Sequence, residues 1–203
     1  MVHQNKKSME IVTKNSKPNI RYLNDMKDVI FDKEWLKSAP NLELYYMYRG
    51  VKKKDELRYD ITIIPSLMLG KEYNKTKGHE HIENFKEIYT VLKGEAIYLM
   101  QKRKEKEITD AYAVKARKGD AVIIPAGYGH FTINPNAKDL KMANWMADNV
   151  KSDYSPIEKM AGACYFYTTS GWIKNKSYSE VPELRFEKPL KSLPKNLDFL
   201  KNK

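Results

Sequence analysis

Three of the four histidines in the chain stand in two short stretches punctuated by glycine. The first reads Gly78-His79-Glu80-His81, followed by Glu87-Ile88-Tyr89. The second runs from Gly119-Asp120 through Val122-Ile123-Ile124-Pro125-Ala126-Gly127-Tyr128-Gly129 to His130. On a strand, side chains at i and i+2 share a face, so His79 and His81 present two imidazoles side by side. A short turn through Glu83-Asn84 brings Glu87 onto the neighbouring strand, where Glu87, Tyr89 and Val91 share a face. His130 leaves its turn on the same face as Thr132 and Asn134. Three imidazoles and one carboxylate make a ligand set for a divalent metal: nitrogen suits Fe, Ni, Zn or Cu, and the carboxylate also admits Mn. With neutral imidazoles the charge at such a centre sums to about +1, and a six-coordinate ion keeps room for a substrate bound through two oxygens. A lone strand histidine is ordinarily a surface or hydrogen-bonded core residue. The joint pattern, not any one member, carries the reading.

Positioning these residues requires strands. From Pro40 on, Leu42 to Val51, Tyr59 to Ile64, Ile88 to Leu92 and Ala96 to Met100 are rich in Tyr, Ile, Leu, Val and Thr. Ala111 to Val114, Ala121 to Ile124, Leu140 to Trp145 and Ala163 to Thr169 extend the series, many bounded by Gly, Pro, Asn or Asp. Short strands at this spacing predict an all-β sandwich or barrel over residues 41–188. Before it, residues 1–20 read as a polar arm, and Leu23, Met26, Val29 and Ile30 recur at helical spacing. One short helix is therefore expected between Leu23 and Leu36, capped by Asn24 or Asp25. After it, residues 189–203 form a Lys- and Pro-bearing tail with a small apolar cluster at Leu197, Phe199 and Leu200.

Composition narrows the partners. The 203 residues are 41% hydrophobic and 31% charged, enough for a sizeable core under a solvated surface. The formal net charge is +11. Its basic residues nevertheless fall in pairs and triplets beside acidic ones, with no interleaved aromatics, so nucleic acid is not expected as a partner. The positive field would help gather an anionic small molecule. Cys164 is the only cysteine, which excludes an intrachain disulfide and a thiolate cluster. Met1 to Lys14 lacks an apolar signal region. The longest uncharged run, Ala121 to Ala137, is broken by prolines and glycines and does not read as a membrane span. A cytoplasmic protein is the expectation.

The second histidine stretch resembles a motif of the cupin superfamily, Gly-x5-Pro-x-Gly-x2-His-x3-Asn, at every fixed position: Gly119, Pro125, Gly127, His130 and Asn134. The first stretch keeps the order of the other cupin motif in His79, His81, Glu87 and Gly94. Five residues separate His81 from Glu87, where three or four are usual, and no glycine stands six residues before His79. That stretched motif and its surroundings resemble the archaeal-type, cupin-fold glucose-6-phosphate isomerases. The likeness runs through Arg21-Tyr22-Leu23-Asn24-Asp25-Met26, Tyr45-Tyr46-Met47-Tyr48-Arg49-Gly50, Tyr59-Asp60-Ile61-Thr62-Ile63-Ile64-Pro65 and Lys75-Thr76-Lys77-Gly78-His79-Glu80-His81. Glu87-Ile88-Tyr89 and Gly127-Tyr128-Gly129-His130 complete it.

The resemblance implies a double-stranded β-helix (jelly-roll barrel), a homodimer, and interconversion of glucose 6-phosphate and fructose 6-phosphate with one divalent metal ion per subunit. Fe, Mn, Ni and Zn all suit the ligands. His79, His81, Glu87 and His130 align with the family's metal ligands, and Thr62, Thr76 and Gly78 fall where it holds the phosphate. Tyr89 and Tyr154 align with substrate-side tyrosines. Lys75 and Lys77 are alternative phosphate partners, and Arg49 is either a further one or an internal ion-pair residue at a barrel mouth. Asn149 to Tyr154 lacks a histidine that some members carry, and Gly127 replaces a tyrosine found in others. Isomerisation through an enediolate needs a carboxylate near C1 and C2, and Glu87 is the conspicuous one, with Tyr89 beside the sugar oxygens. A metal-dependent cupin dioxygenase and a non-catalytic sugar-binding cupin are the competing readings.

Overall fold

A computed structural model describes residues 17–201 of the chain; His3 and most of the polar arm lie outside the described residues. Its strands are β1 (Asn19–Tyr22), β2 (Glu43–Lys54), β3 (Leu57–Ile64), β4 (Met68–Leu69), β5 (Glu72–Tyr73), β6 (Glu80–His81), β7 (Glu87–Lys93) and β8 (Glu95–Lys104). They continue as β9 (Glu107–Arg117), β10 (Ala121–Ile124), β11 (Gly129–Ile133), β12 (Leu140–Ala147), β13 (Ser152–Asp153), β14 (Tyr165–Thr168), β15 (Gly171–Lys174) and β16 (Arg185–Glu187). Helix is confined to a 3-10 segment at Leu23–Val29, α1 (Lys33–Leu36), α2 (Ser155–Lys159) and a 3-10 turn at Asp198–Leu200.

A six-stranded sheet in the order β1-β2-β3-β12-β7-β10 faces a four-stranded sheet in the order β11-β8-β9-β16. The rings of Tyr89 on β7 and Tyr98 on β8 meet across the interior at 5.2 Å. Along β7, Glu87, Tyr89 and Val91 turn into this interior while Ile88 turns out. The alternation follows from the pleat. Every pairing between strands is antiparallel except that of β16 with β9. The result is the expected all-β jelly-roll barrel. Its core includes Leu44, Ile64, Val91, Met100, Phe131, Ile133 and Leu140. A second cluster, with Leu57, Phe85, Ile88 and Val150, packs outside the large sheet, and Leu200 of the tail is fully buried in it.

The single helix expected from Leu23 to Leu36 is instead two short pieces. Ile30 between them is extended, with φ −88° and ψ 136°. Distant residues capture the backbone groups that a continuous helix would need. Lys75 Nζ donates to the Val29 oxygen at 2.9 Å, and Phe31 N donates to Glu72 Oε2 at 2.9 Å. Asp32 then caps α1 by accepting from Trp35 N at 3.0 Å. Of the expected caps, Asp25 accepts from Tyr22 N in a capping box that opens the 3-10 segment, whereas Asn24 N donates to Asn41 Oδ1. The arm read as polar over 1–20 gives its last residues to β1, which pairs with β2 at the sheet edge.

Candidate metal centre and substrate cavity

The barrel closes locally through a backbone exchange between the two histidine stretches. His79 N donates to His130 O at 3.3 Å, and His130 N donates to His79 O at 3.1 Å. His81 follows on β6, which pairs with β13 through Ser152 and Asp153. On the outer side of β6, Glu80 receives Arg103 in a bidentate pair, Nε to Oε1 and Nη2 to Oε2, both 3.0 Å. That fork pins the segment from His79 to His81 to β8. Glu87 opens β7 and reaches the same point from the large sheet.

The four side chains converge. One donor atom from each of His79, His81, Glu87 and His130 lies within 4.8 Å of all the others. Glu87 Oε2 is 3.2 Å from His130 Nε2 and 3.4 Å from His81 Nε2. The second nitrogens of two rings point away. His81 Nδ1 lies 3.0 Å from the Phe85 carbonyl and His130 Nδ1 3.5 Å from the Tyr128 carbonyl. A carbonyl can only accept, so His81 Nδ1 carries its proton and Nε2 keeps a lone pair turned inward.

Glu87 Oε2 and the Nε2 atoms of His79, His81 and His130 are all buried with no hydrogen-bond partner. Each orphaned group of this kind ordinarily costs about 1–3 kcal/mol, and these four lone-pair donors share one point. A divalent cation satisfies all of them at once, so the residues fit the metal. Electrostatics agree. Burial alone would raise the Glu87 pKa, but the imidazoles of His130 and His81 outweigh it and hold the carboxyl well below its usual range. Burial, with His130 beside it, pushes His79 well down and keeps it neutral. His81 is pushed down by burial but raised overall by Glu87 and the Phe85 carbonyl.

Beside this cluster opens a cavity lined by Thr62, Thr76, Gly78, Tyr89 and Tyr154, together with His79, Glu87 and His130. Each residue singled out in the sequence for substrate contact therefore lies on one wall or another. Tyr154 packs on His79 with ring centroids 5.5 Å apart. Thr76 Oγ1 already accepts from Thr132 N at 2.9 Å, which leaves its hydroxyl proton to give. Gly78 has φ +76°, and a Cβ there would lie 2.0 Å from the Phe131 ring. Burial and then Glu87 raise the Tyr89 pKa well above its ordinary value, so it stays a neutral hydroxyl.

Other candidates fall away. Lys75 is 3% exposed, with its ammonium held by Glu72 and the Val29 oxygen. Lys77 pairs with Glu158 and donates to the Asp25 oxygen at 2.7 Å. Neither ammonium is available to a phosphate. Arg49 does line the cavity, but its Nη2 meets Met47 Sδ at 3.6 Å rather than a carboxylate. Sequence reading missed the rest of the wall: Tyr45 and Met47 on β2, Arg58 and Asp60 on β3, and Met142, Asn144 and Met146 on β12. Asp60 is anchored there by Gly50 N at 2.7 Å and Arg58 Nε at 3.2 Å. The available signal was their i, i+2 spacing with Thr62 on β3 and along β12.

The family model for glucose-6-phosphate isomerase (GPI) matches residues 21–183. The chain belongs to the glucose-6-phosphate isomerase family. It is 28% identical over 152 residues to the glucose-6-phosphate isomerase of Thermococcus litoralis, covering 72% of this chain and 78% of that one. The glucose-6-phosphate isomerase of Pyrococcus abyssi is 30% identical over 166 residues, covering 78% of this chain and 85% of its own. Among solved structures, oxalate oxidase in complex with the substrate analogue glycolate is similar with a TM-score of 0.47. That likeness is 18% identical and covers 61% of this chain and 60% of the other. The metal-compatible cluster and the cavity both lie within the span matched by the glucose-6-phosphate isomerase model.

Proposed function

We propose that this member of the family interconverts D-glucose 6-phosphate and D-fructose 6-phosphate with one divalent metal held by His79, His81, Glu87 and His130. The observation that carries the reading is the set of four buried, unpartnered donor atoms meeting at the wall of a polar cavity. An ion bound there supplies an electrophile for the oxygens on C1 and C2 of the open-chain sugar. The chain does the rest. Thr62, Thr76 and the backbone at Gly78 hold the phosphate with hydroxyl and N–H donors, and glycine lets the anion come close. Tyr89, neutral at physiological pH, donates to or accepts from a sugar oxygen while Tyr154 closes the cavity beside His79.

Two routes move the hydrogen. In one, Glu87 takes a proton from C2 of the aldose, leaving an enediolate, and returns it to C1 of the ketose. In the other, hydrogen passes directly between the two carbons with its electron pair, and the chain only aligns them. The depressed pKa of Glu87 suits a ligand and weakens it as a base. Solvent deuterium appearing at C1 or C2 supports the first route, whereas complete retention supports the second.

Turnover of fructose 6-phosphate in a coupled assay, lost on chelation and restored by one added metal, is the test. A folded, metal-loaded protein that turns over no sugar phosphate overturns the isomerase reading, and oxygen consumption would then mark a dioxygenase. A homodimer in the cytoplasm belongs to the same proposal. Among the described residues no helix is long and apolar enough to cross a membrane. Light scattering on the eluted protein decides the dimer.

A further inference from the structure

The cations near the phosphate end of the cavity are not equivalent. Lys75 and Lys77 are neutralised by Glu72 and Glu158. Arg58 pairs with Asp60. Arg49 is exposed, with its Nη2 3.6 Å from Met47 Sδ. Arg21 differs from all of these. It sits directly across β1 and β2 from Tyr45, and among the described residues it forms no ion pair. Its Nε is buried and has no hydrogen-bond partner, while the rest of the guanidinium interacts with the Tyr45 and Tyr154 hydroxyls and with Asp25. Its guanidinium carbon lies 5.9 Å from the Tyr45 ring centre and 5.5 Å from that of Tyr154. Both rings line the cavity. Tyr45 Oη also accepts from Lys77 N at 3.3 Å, the amide between Thr76 and Gly78. The half-buried charge is therefore one side chain away from the loop expected to cradle an anion.

Leaving part of a guanidinium out of water without an anion is unfavourable, unless an anion arrives as part of function. We propose that Arg21 is a positioning residue for the phosphate of the substrate. It stands behind Tyr45 and Tyr154, fixes their rings, and adds a positive charge without an ion-pair partner near the end of the cavity formed by Thr76 and Gly78. The ligand chemistry is a phosphomonoester dianion. The inference rests on the isomerase reading for the identity of the sugar, though not for the anion itself.

Metal-loaded wild type, Arg21→Met and Arg21→Lys are compared by titration with inorganic phosphate and by steady-state kinetics on fructose 6-phosphate. In Arg21→Met the phosphate dissociation constant and KM rise about 10-fold or more, as expected for loss of a charge-assisted interaction. kcat stays within about 3-fold, because the reacting carbons are untouched, and bound metal does not change. Arg21→Lys recovers most of the phosphate affinity. If Arg21→Met fails to fold by circular dichroism, Arg21→Gln makes the same comparison. Phosphate binding that is indifferent to the loss of Arg21, or absent from wild type, overturns the proposal. So does a fall in kcat and metal content with unchanged KM. Failure of the isomerase reading looks different: Arg21-dependent phosphate binding with no turnover by wild type.

Discussion

The imidazole of His81 is held by the main chain of Phe85, four residues on, with Nδ1 3.0 Å from the carbonyl oxygen. The loop between His81 and Glu87 is longer than the cupin motif requires, and this contact is what its length provides. The loop bends so that Phe85 is buried beside Ile88, Leu57 and Val150 while its carbonyl turns back to the ring. Phe85→Ala removes the anchor and leaves the carbonyl on a loosened segment. Stability falls by about 3–5 kcal/mol, as for other buried Phe truncations. Metal affinity falls by roughly 10–100-fold, the usual consequence of losing an orienting partner. Urea unfolding of the metal-free protein and metal titration measure the two effects separately. Unchanged metal affinity would show that the His81 ring is oriented by something else.

Gly78 and Phe131 are in closer contact than any side chain allows. Gly78→Ala would set a Cβ 2.0 Å from the Phe131 ring on a backbone with φ +76°. Overpacking costs about 1–3 kcal/mol and the left-handed backbone roughly 1–3 more. The expected loss is about 2–6 kcal/mol in chemical denaturation. Because the same loop is expected to hold the phosphate, KM should rise as well. Phe131→Ala in the same chain clears the clash and recovers part of KM if the loop had only been displaced.

Much of the metal centre was legible because its ligands are chemically rare and spaced by strand geometry. His79, His81, Glu87 and His130 can be read without knowing any other contact. The strands Tyr59–Ile64 and Ala121–Ile124 were likewise visible, the latter to the residue, because β-branched runs ended at glycine, proline or aspartate. The strands β4, β5, β6 and β13 have two residues each, too few for any periodicity. The broken helix near Ile30 and the burial of Lys75 and Lys77 depend on partners as distant as Glu72 from Phe31 and Glu158 from Lys77. The helix α2 did carry a local sign, Pro156 in its first turn. The cavity wall of Tyr45, Asp60 and Asn144 required the register of β2, β3 and β12, which pairs Asp60 with Asn144 and Asn144 with Tyr89. No single-strand pattern contains that information.

His130 is the proposed ligand that ties the two motifs together, through its ring and through its backbone exchange with His79. His130→Ala takes one of four donors from the centre. Metal affinity should fall by more than about 100-fold, beyond the effect of losing an orienting partner alone, and isomerase activity should fall with it. The backbone bonds to His79 survive the substitution, so the metal-free variant should unfold within about 1–2 kcal/mol of wild type. Elemental analysis after dialysis checks the first expectation. Full metal content in His130→Ala would remove His130 from the ligand set.

Protons compete with metal for the same lone pairs, and the three imidazoles do not compete equally. An ordinary imidazole titrates near 6.5. His81 is pushed down by burial but raised overall by Glu87 and the Phe85 carbonyl, so as pH falls it protonates well before His79. His79, driven well down by burial and His130, stays neutral far longer. Glu87, held low by His130 and His81 against the effect of burial, stays ionised throughout. Affinity should therefore be flat at alkaline pH and fall with pH once it drops through the raised pKa of His81. The slope steepens in more acidic solution, where His79 also titrates. In the metal-free protein the sign reverses for His81. Its raised pKa contributes stability that is complete below about 6.5 and lost as pH rises through the folded value. Calorimetric metal titrations between about pH 5.5 and 8.5, with thermal unfolding of the metal-free protein over the same range, test both signs around the ordinary imidazole value. A metal affinity that did not change down to about pH 4, below any ordinary imidazole, would exclude histidine ligation altogether.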